Sequence, residues 1–165
     1  MRAALLSLSV LAGTLAACAS APDPGMPPPN GSAPAPIPGY DWILHQDGDD
    51  ARLSYGVAES DDVRMAFDCR RGARRLDMTA LAPAGAEPVI LLEAAGETGR
   101  FAAAADEDLI HDGLILSAAA PADVPVLRRF RRVGWLARWQ DGVREGYAPH
   151  PGSGERIERF FAFCG

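Results

Sequence analysis

Apolar and polar residues alternate along much of residues 40–165, with the period of strands that bury one face. The clearest case is "VRMAFDC", in which Val63, Met65, Phe67 and Cys69 fall on one face. Similar segments, separated by Gly-containing turns, are "YDWILH", "ARLSYGV", "RRLDMTA", "PVILLEA", "GRFAAA" and "GLILSAA". The pattern predicts short antiparallel strands, the last three following one another as a β-meander.

Two turn signals predict hairpins. "QDGDD" separates the first two strand segments, and "GWLARWQDGVREGYA" has Asp141-Gly142 between two strand-like runs. Asp-Gly is a strong hairpin signal because both central positions of the tight turn require positive φ.

Two segments have helical periodicity instead. In "ADVPVLRRFRRVG", Asp123 can cap a helix, Pro125 is tolerated in its first turn, and Gly134 can end it. In "GERIERFFAFCG", apolar residues recur at helical spacing, with Ser153 as the expected cap; they are Ile157, Phe160, Phe161 and Cys164. The predicted fold class is mainly β (α+β): an antiparallel β-sandwich or open barrel of short strands, with one short internal helix and a C-terminal helix that closes over it.

The first 17 residues have the pattern of a secretory signal peptide. A single cation, Arg2, precedes an apolar run that is shorter than the roughly 20 residues of a membrane-spanning helix. The run ends in Leu15-Ala16-Ala17-Cys18, which resembles the lipobox of bacterial lipoprotein precursors. The resemblance implies cleavage before Cys18 and attachment of diacylglycerol to its sulfur. Several acyl chains would provide a stable membrane anchor.

Residues 18–39 are expected to be a lipidated cysteine followed by a proline-rich linker, and residues 40–165 a single globular β-rich domain. Eight Pro and three Gly occur among the 21 residues after Cys18. Such a segment buries little apolar surface, so we expect a spacer with partial polyproline II structure. The lipoprotein resemblance also favours the outer membrane, with the domain facing the periplasm, because Ala19 is not the Asp that retains many of these proteins at the inner membrane.

With Cys18 assigned to the lipid, Cys69 and Cys164 remain. An exported chain with two thiols suggests a disulfide. Both residues are on the apolar face of their predicted elements, which supports this pairing. The rival interpretation, a reactive or metal-binding thiol, is weaker because neither cysteine lies in a CxxC motif or a Cys/His cluster.

Charge limits the possible partners. Residues 40–165 contain 15 Arg and no Lys against 21 Asp plus Glu, which argues against nucleic acid. Arginine is nevertheless clustered, and guanidinium groups suit phosphate or carboxylate. The clustered residues are Arg70, Arg71, Arg74, Arg75, Arg128, Arg129, Arg131 and Arg132. They are either a surface for an envelope protein, peptidoglycan or an anionic lipid, or two solvated faces that balance acidic turns.

The sequence indicates no cofactor, and the evidence for an enzyme is weak. His150 lies near Ser153, but no G-x-S-x-G motif is present. "DEDLIHDG" would align Asp108, His111 and Asp112 as metal ligands if it were helical, whereas a solvated acidic loop is the favoured interpretation. "DGDD" at 47–50 is interpreted as a turn, because it lacks the distal Glu of a calcium loop. A non-enzymatic envelope binding protein is therefore favoured over a metal-dependent enzyme.

A second resemblance rests on "FDCRRGARRLDM" and "AAGETGRFAA", followed by a cysteine near the end of the chain. These stretches are similar to the membrane-bound lipoprotein inhibitors of c-type lysozyme. That family implies a small β-barrel whose loop residues block the muramidase cleft. The corresponding inserting positions would be Thr98 and Arg100, with Phe101 as the aromatic residue. Lysozyme inhibition is thus the alternative function.

Overall fold

The computed structural model describes residues 31–108 and 112–165, which form ten strands and two helices. The strands are β1 (Tyr40–Asp47), β2 (Asp50–Val57), β3 (Val63–Arg70), β4 (Arg75–Pro83), β5 (Val89–Ala94), β6 (Glu97–Ala102), β7 (Ala104–Asp108), β8 (Gly113–Pro121), β9 (Leu136–Gln140) and β10 (Val143–Tyr147). The helices are α1 (Pro125–Val133) and α2 (Ser153–Cys164). The predicted signal peptide, the lipobox-like sequence and Cys18 lie outside the described residues.

The strands form two antiparallel sheets, in the orders β1-β2-β3-β4-β8-β7 and β10-β9-β5-β6. The predicted mainly β sandwich is confirmed, and the sheets do not close into a barrel. The expected meander is wrong, because β8 pairs with β4 while β5 and β6 belong to the other sheet. Alternation predicts which face of a strand is buried but not which strand lies beside it.

The acidic segment between β6 and β8 differs from both predictions for it. Residues 104–108 form the edge strand β7, and Asp108 pairs with Gly113 in β8. Residues 106–108 therefore belong to a strand, and not to the helix or the solvated loop that the sequence suggests, while residues 109–111 lie outside the described residues. The exposed side chains of Asp106 and Glu107 suit an edge strand, since like charges oppose pairing with another chain.

The core lies between the sheets and is closed by the two helices. Phe130 of α1 packs against Trp42 of β1, with ring centroids 4.7 Å apart. Tyr55 packs against Tyr147 at 5.0 Å, and the Nε1–H of Trp42 donates to the carbonyl oxygen of Tyr147 at 3.3 Å. All four residues are fully buried. These contacts join β1 and β2 of one sheet to β10 of the other and to α1.

Both helices were predicted, but the residue before each of them is not the expected side-chain cap. Val124 occupies the N-cap of α1, and Gly152 that of α2, and neither helix has a side-chain cap hydrogen bond. The capping predictions for Asp123 and Ser153 are therefore wrong. Gly134 ends α1 in the left-handed conformation as expected, with φ of 79° and its N–H donating to the carbonyl of Phe130.

The last residues of the proline-rich segment lie against the second sheet. Arg144 donates to the carbonyl oxygen of Ser32 at 3.0 Å. Pro34 lies over Gly146, where a β-carbon would come within 2.2 Å of the proline ring, so glycine is required there. Ile37 packs against the core. These contacts fix the direction in which the chain enters β1.

Candidate anion-binding cleft

The turn at residues 71–74 is held against the end of α2. Cys69 and Cys164 form a disulfide, which confirms the predicted bridge between β3 and the last helix. Beside it, the N–H of Gly72 donates to the carbonyl of Phe163 at 2.9 Å, and that of Arg74 donates to the carbonyl of Cys164 at 2.8 Å. The turn is thereby joined to α2 by backbone hydrogen bonds, and the strand that precedes it is joined to α2 by the disulfide. These bonds also satisfy carbonyl groups that a helix end otherwise leaves without partners.

This junction brings members of the two arginine clusters together around one cleft. Arg74 comes from the turn, while Arg128 and Arg131 come from α1, and all three line a cavity of about 340 Å³. The remaining lining residues are Pro121, Ala122, Asp123, Phe161 and Gly165. We refer to the cavity as the arginine cleft. The sequence shows both clusters, but their convergence depends on the packing of α1 beside the end of α2.

The three guanidinium groups differ in their existing partners. Arg131 makes two hydrogen bonds to Glu158, one of them at 2.8 Å, which raise the pKa of Arg131 and lower that of Glu158. The Nη1 of Arg128 donates to the backbone carbonyl of Asp123 at 2.6 Å. The side chain of Arg74 has no hydrogen bond or ion pair within residues 31–108 and 112–165. Arg74 and most of the donors of Arg128 are thus free to bind a ligand.

The backbone of Arg74 is also unusual. Its φ is 55°, in the left-handed region that non-glycine residues seldom adopt. The conformation is held by the donated bond to Cys164 and by the N–H of Ala122, which donates to the carbonyl of Arg74 at 2.9 Å. A strained, fixed backbone is a common property of functional positions. The fixed backbone determines the position and direction in which the Arg74 side chain begins at the rim of the cleft.

The other clustered arginines have different surroundings. Four of them face carboxylates: Arg70 and Asp50 at 3.8 Å, Arg71 and Asp49 at 3.1 Å, Arg75 and Asp77 at 3.9 Å, and Arg129 and Glu97 at 3.6 Å. Arg71 also lies over the ring of Phe163 at 4.1 Å. Arg132 is exposed on α1 and does not line the cleft. Each sequence cluster is therefore divided between residues that line the cleft and residues on the surrounding surface.

The arrangement suits a single anionic group. Three guanidinium groups and the carboxylate of Asp123 line the cleft, and Glu158 pairs with Arg131 beside it. The side chains there keep a small excess of positive charge, although the chain carries a formal net charge of −6. Arginine can donate two parallel hydrogen bonds to phosphate or carboxylate. Glu158 already neutralises Arg131, so Arg74 and Arg128 would make the main contacts with such a group.

Ser153 and His150 lie close together but do not form a nucleophile and base. The Ser153 hydroxyl is buried and bonds to the carboxylate of Asp41 and to the backbone carbonyl of His150. The Nε2 of His150 lies 3.2 Å from the carbonyl of Ile37. Arg156 binds the second oxygen of Asp41. The sequence analysis did not single out Asp41, whose carboxylate joins the start of β1 to the start of α2.

The proposed metal ligands are only partly within the described residues. Asp108 is buried at the end of β7, Asp112 follows the undescribed segment, and His111 lies within that segment. Across the described ranges, no group of three or more His, Cys, Asp or Glu residues is arranged to hold a metal ion. Residues Asp47 and Asp50 end β1 and begin β2, and the hairpin turn predicted for "DGDD" is confirmed.

The two residues assigned to an inhibitory loop lie in a regular strand. Thr98 pairs with Glu93, and Arg100 with Leu91, along β5 and β6. The guanidinium of Arg100 binds Glu87 at 2.7 Å. Their expected location in a loop is therefore wrong, since the turn before β6 consists of residues 95 and 96.

No protein-family model, curated protein or solved structure matches this chain. Of the two helices in the described ranges, neither is long and apolar enough to cross a membrane. The arginine cleft is accordingly the main basis on which a function can be assigned.

Proposed function

We propose that this protein is a lipid-anchored component of a bacterial envelope that binds, without catalysis, an anionic group of another envelope component through the arginine cleft. The observation that carries the proposal is the convergence of Arg74 and Arg128, from separate sequence clusters, on one cavity with unoccupied donors. Arginines that served only for solubility would have no reason to converge beside a disulfide-linked turn.

The charge distribution favours a discrete group over a broad anionic surface. Residues 40–165 carry six more acidic than basic side chains, so a flat anionic membrane would repel much of the domain. A phosphate or carboxylate projecting from a protein, a lipopolysaccharide or a peptidoglycan peptide could enter the cleft without bringing further negative charge close. Rim charges of this kind mainly increase the rate of association and the specificity of recognition.

The hydrogen-bond pattern around Ser153 supports binding in preference to hydrolysis. Its hydroxyl is enclosed and is shared between Asp41 and a backbone carbonyl, so it has no access to a substrate. The imidazole of His150 is engaged elsewhere. Both side chains serve to hold α2 against β1.

The proposed anchor is Cys18, followed by the proline-rich spacer. The 21 residues after Cys18 would reach on the order of 60 Å if extended at about 3.1 Å per residue, enough to hold the domain away from the membrane. Metabolic labelling with palmitate tests the anchor. We expect labelling of the native chain and none of Cys18→Ala, whereas equal labelling of both would exclude lipidation at this position.

Crosslinking in cells, followed by purification and mass spectrometry, tests the cleft as the binding surface. Arg74→Gln/Arg128→Gln removes the two free guanidinium groups. Arg75→Gln/Arg129→Gln is the matched control, because it takes one arginine from each sequence cluster outside the cleft. We expect a specific partner to be lost in the first variant and retained in the second. Equal capture by both variants would contradict the proposal.

A further inference from the structure

A second cavity, of about 440 Å³, lies at the opposite end of β3 and β4 from the arginine cleft. Its lining residues are Asp62, Arg64, Leu81, Arg138 and Glu145. They come from the start of β3, the end of β4 and the β9–β10 hairpin, so the cavity lies where the two sheets meet. The turn that carries Arg74 joins the other ends of β3 and β4.

The charged groups around this cavity are balanced but loosely paired. Arg64 lies 3.4 Å from Asp62 and 3.9 Å from Glu145, and Arg138 lies 3.5 Å from Glu145. Direct charge-assisted hydrogen bonds are shorter, at about 2.7–2.9 Å. Such separations leave donors and acceptors able to bind a polar group placed among them.

Two tyrosines fix the positions of these charged groups. The Tyr147 hydroxyl donates to Glu145 at 2.9 Å. The Tyr40 hydroxyl donates to Asp62 and accepts from Arg64 at 2.8 Å. The carboxylates and Arg64 are thereby held in place before any ligand arrives, which lowers the cost of ordering them on binding.

Arg138 is incompletely satisfied although it is buried. Its exposed fraction is 6 %, and one Nη donates to the backbone carbonyl of Leu81. Its Nε has no hydrogen-bond partner in the described parts of the chain. Unsatisfied buried donors are rare in folded proteins and call for a physical explanation. An acceptor entering the cavity would allow the guanidinium to exchange its long contact with Glu145 for a direct bond.

An apolar groove of about 280 Å³ continues from the cavity and shares Arg64 and Leu81 with it. Its apolar lining residues are Val63, Met65, Ala80, Leu81 and Ile115, and its polar ones are Arg52, Asp61, Arg64, Thr79 and Asp108. The combined site has a polar end with fixed donors and acceptors and an apolar wall. This combination is typical of sites for small ligands.

We infer that the cavity binds an uncharged saccharide unit. Within the cavity itself the charges of two arginines and two carboxylates cancel, so an anion would meet Asp62 and Glu145 and a cation would meet Arg64 and Arg138. A purely apolar ligand would leave the polar groups without partners. Each sugar hydroxyl can donate one hydrogen bond and accept two, which matches alternating guanidinium and carboxylate groups. The apolar face of the ring would lie toward Leu81 and Ile115.

Calorimetric titration of the full chain in a detergent without sugar tests this inference. The probes are tri-N-acetylchitotriose and cellotriose, which are neutral, with trigalacturonate as the anion and chitotriose, the free amine, as the cation. Arg64→Gln is preferred to a change at buried Arg138, because the Arg64 side chain is 46 % exposed and its loss should not prevent folding. Arg70→Gln, at the other end of β3, is the control.

We expect at least one neutral trisaccharide to bind more tightly than both charged ones. Arg64→Gln should weaken its binding at least about tenfold, as expected for loss of a hydrogen bond to a charged group. Arg70→Gln should leave it unchanged. No saturation by either neutral probe at about 10 mM, tighter binding of a charged probe, or equal weakening by both substitutions would overturn the inference.

Discussion

Arg74 donates its backbone N–H to the carbonyl of Cys164 across 2.8 Å, next to the disulfide that joins Cys164 to Cys69. This bond links the turn at residues 71–74, which carries one arginine cluster, to α2, which packs beside the second cluster on α1. The geometry of the cleft should therefore depend on the disulfide as well as on the arginines.

Replacing both bridge cysteines, as Cys69→Ala/Cys164→Ala, should lower the free energy of unfolding by about 2–5 kcal/mol, because the bridge closes a long loop of the unfolded chain. Urea denaturation measures the loss. Amide hydrogen exchange should show the largest loss of protection at Gly72 and Arg74, whose partners are at the end of α2. Unchanged protection at these two amides would show that the turn is held without the bridge.

Arg74→Gly should separate binding from stability. The substitution removes the strain of the left-handed backbone, which stabilises the folded state by about 1 kcal/mol. It also gives the unfolded chain more conformational entropy, which lowers the free energy of unfolding by about the same amount. We expect the free energy of unfolding to change by less than about 1 kcal/mol while anion binding weakens. A variant that is equally stable and binds anions as well as the native chain would exclude Arg74 from the site.

Replacing only one partner of the buried ion pair between Glu93 and Arg144 should strongly lower the free energy of unfolding. Glu93 is fully buried and accepts two hydrogen bonds from Arg144, at 2.9 and 3.1 Å, and one from Trp139 at 2.8 Å. Arg144→Met leaves this carboxylate uncompensated, so we expect a loss of about 3–5 kcal/mol in urea denaturation. Glu93→Gln/Arg144→Met should lose less. A double variant less stable than the single one would contradict this.

The buried tyrosines should limit stability at high pH. Burial raises the pKa of both Tyr55 and Tyr147, the latter well above its usual value near 10. Above pH about 10 the unfolded chain loses these phenolic protons while the folded chain keeps them. The free energy of unfolding should therefore fall as pH rises, by up to about 1.4 kcal/mol per pH unit for each tyrosine.

Urea denaturation from pH 9 to about 11.5 measures this slope. Tyr147→Phe should be less stable at neutral pH, because it loses the bond to Glu145, but should show a shallower decline at high pH. Equal slopes for the native and variant chains would mean that Tyr147 ionises while the protein is folded.

Local patterns predicted much of the fold. Alternation placed Met65, Phe67 and Cys69 on one buried face, and helical spacing placed Cys164 on another, so the disulfide could be predicted before their distance was known. The hairpin at Asp141-Gly142 was also confirmed. Each of these features is determined mainly by neighbouring residues.

Features that depend on packing of distant segments could not be predicted in this way. β4 pairs with β8, although β5 and β6, which follow β4 in the sequence, belong to the other sheet. The alternation of apolar and polar residues contains no information about which strands pair. Ser153 has the right position for a cap, but its hydroxyl bonds instead to Asp41, more than a hundred residues earlier. The arginine clusters were visible, whereas the convergence of Arg74 and Arg128 needed the packing of α1 against α2.

The most direct test of the central claim is a nuclear magnetic resonance titration of the full chain with inorganic pyrophosphate, observing the arginine Nε–H and backbone N–H signals. The account predicts saturable shifts at Arg74 and Arg128 and at the amides of residues 72–74. These shifts should be absent in Arg74→Gln/Arg128→Gln and preserved in Arg75→Gln/Arg129→Gln. Shifts spread evenly over all exposed arginines, or lost equally in both variants, would contradict an anion-binding cleft.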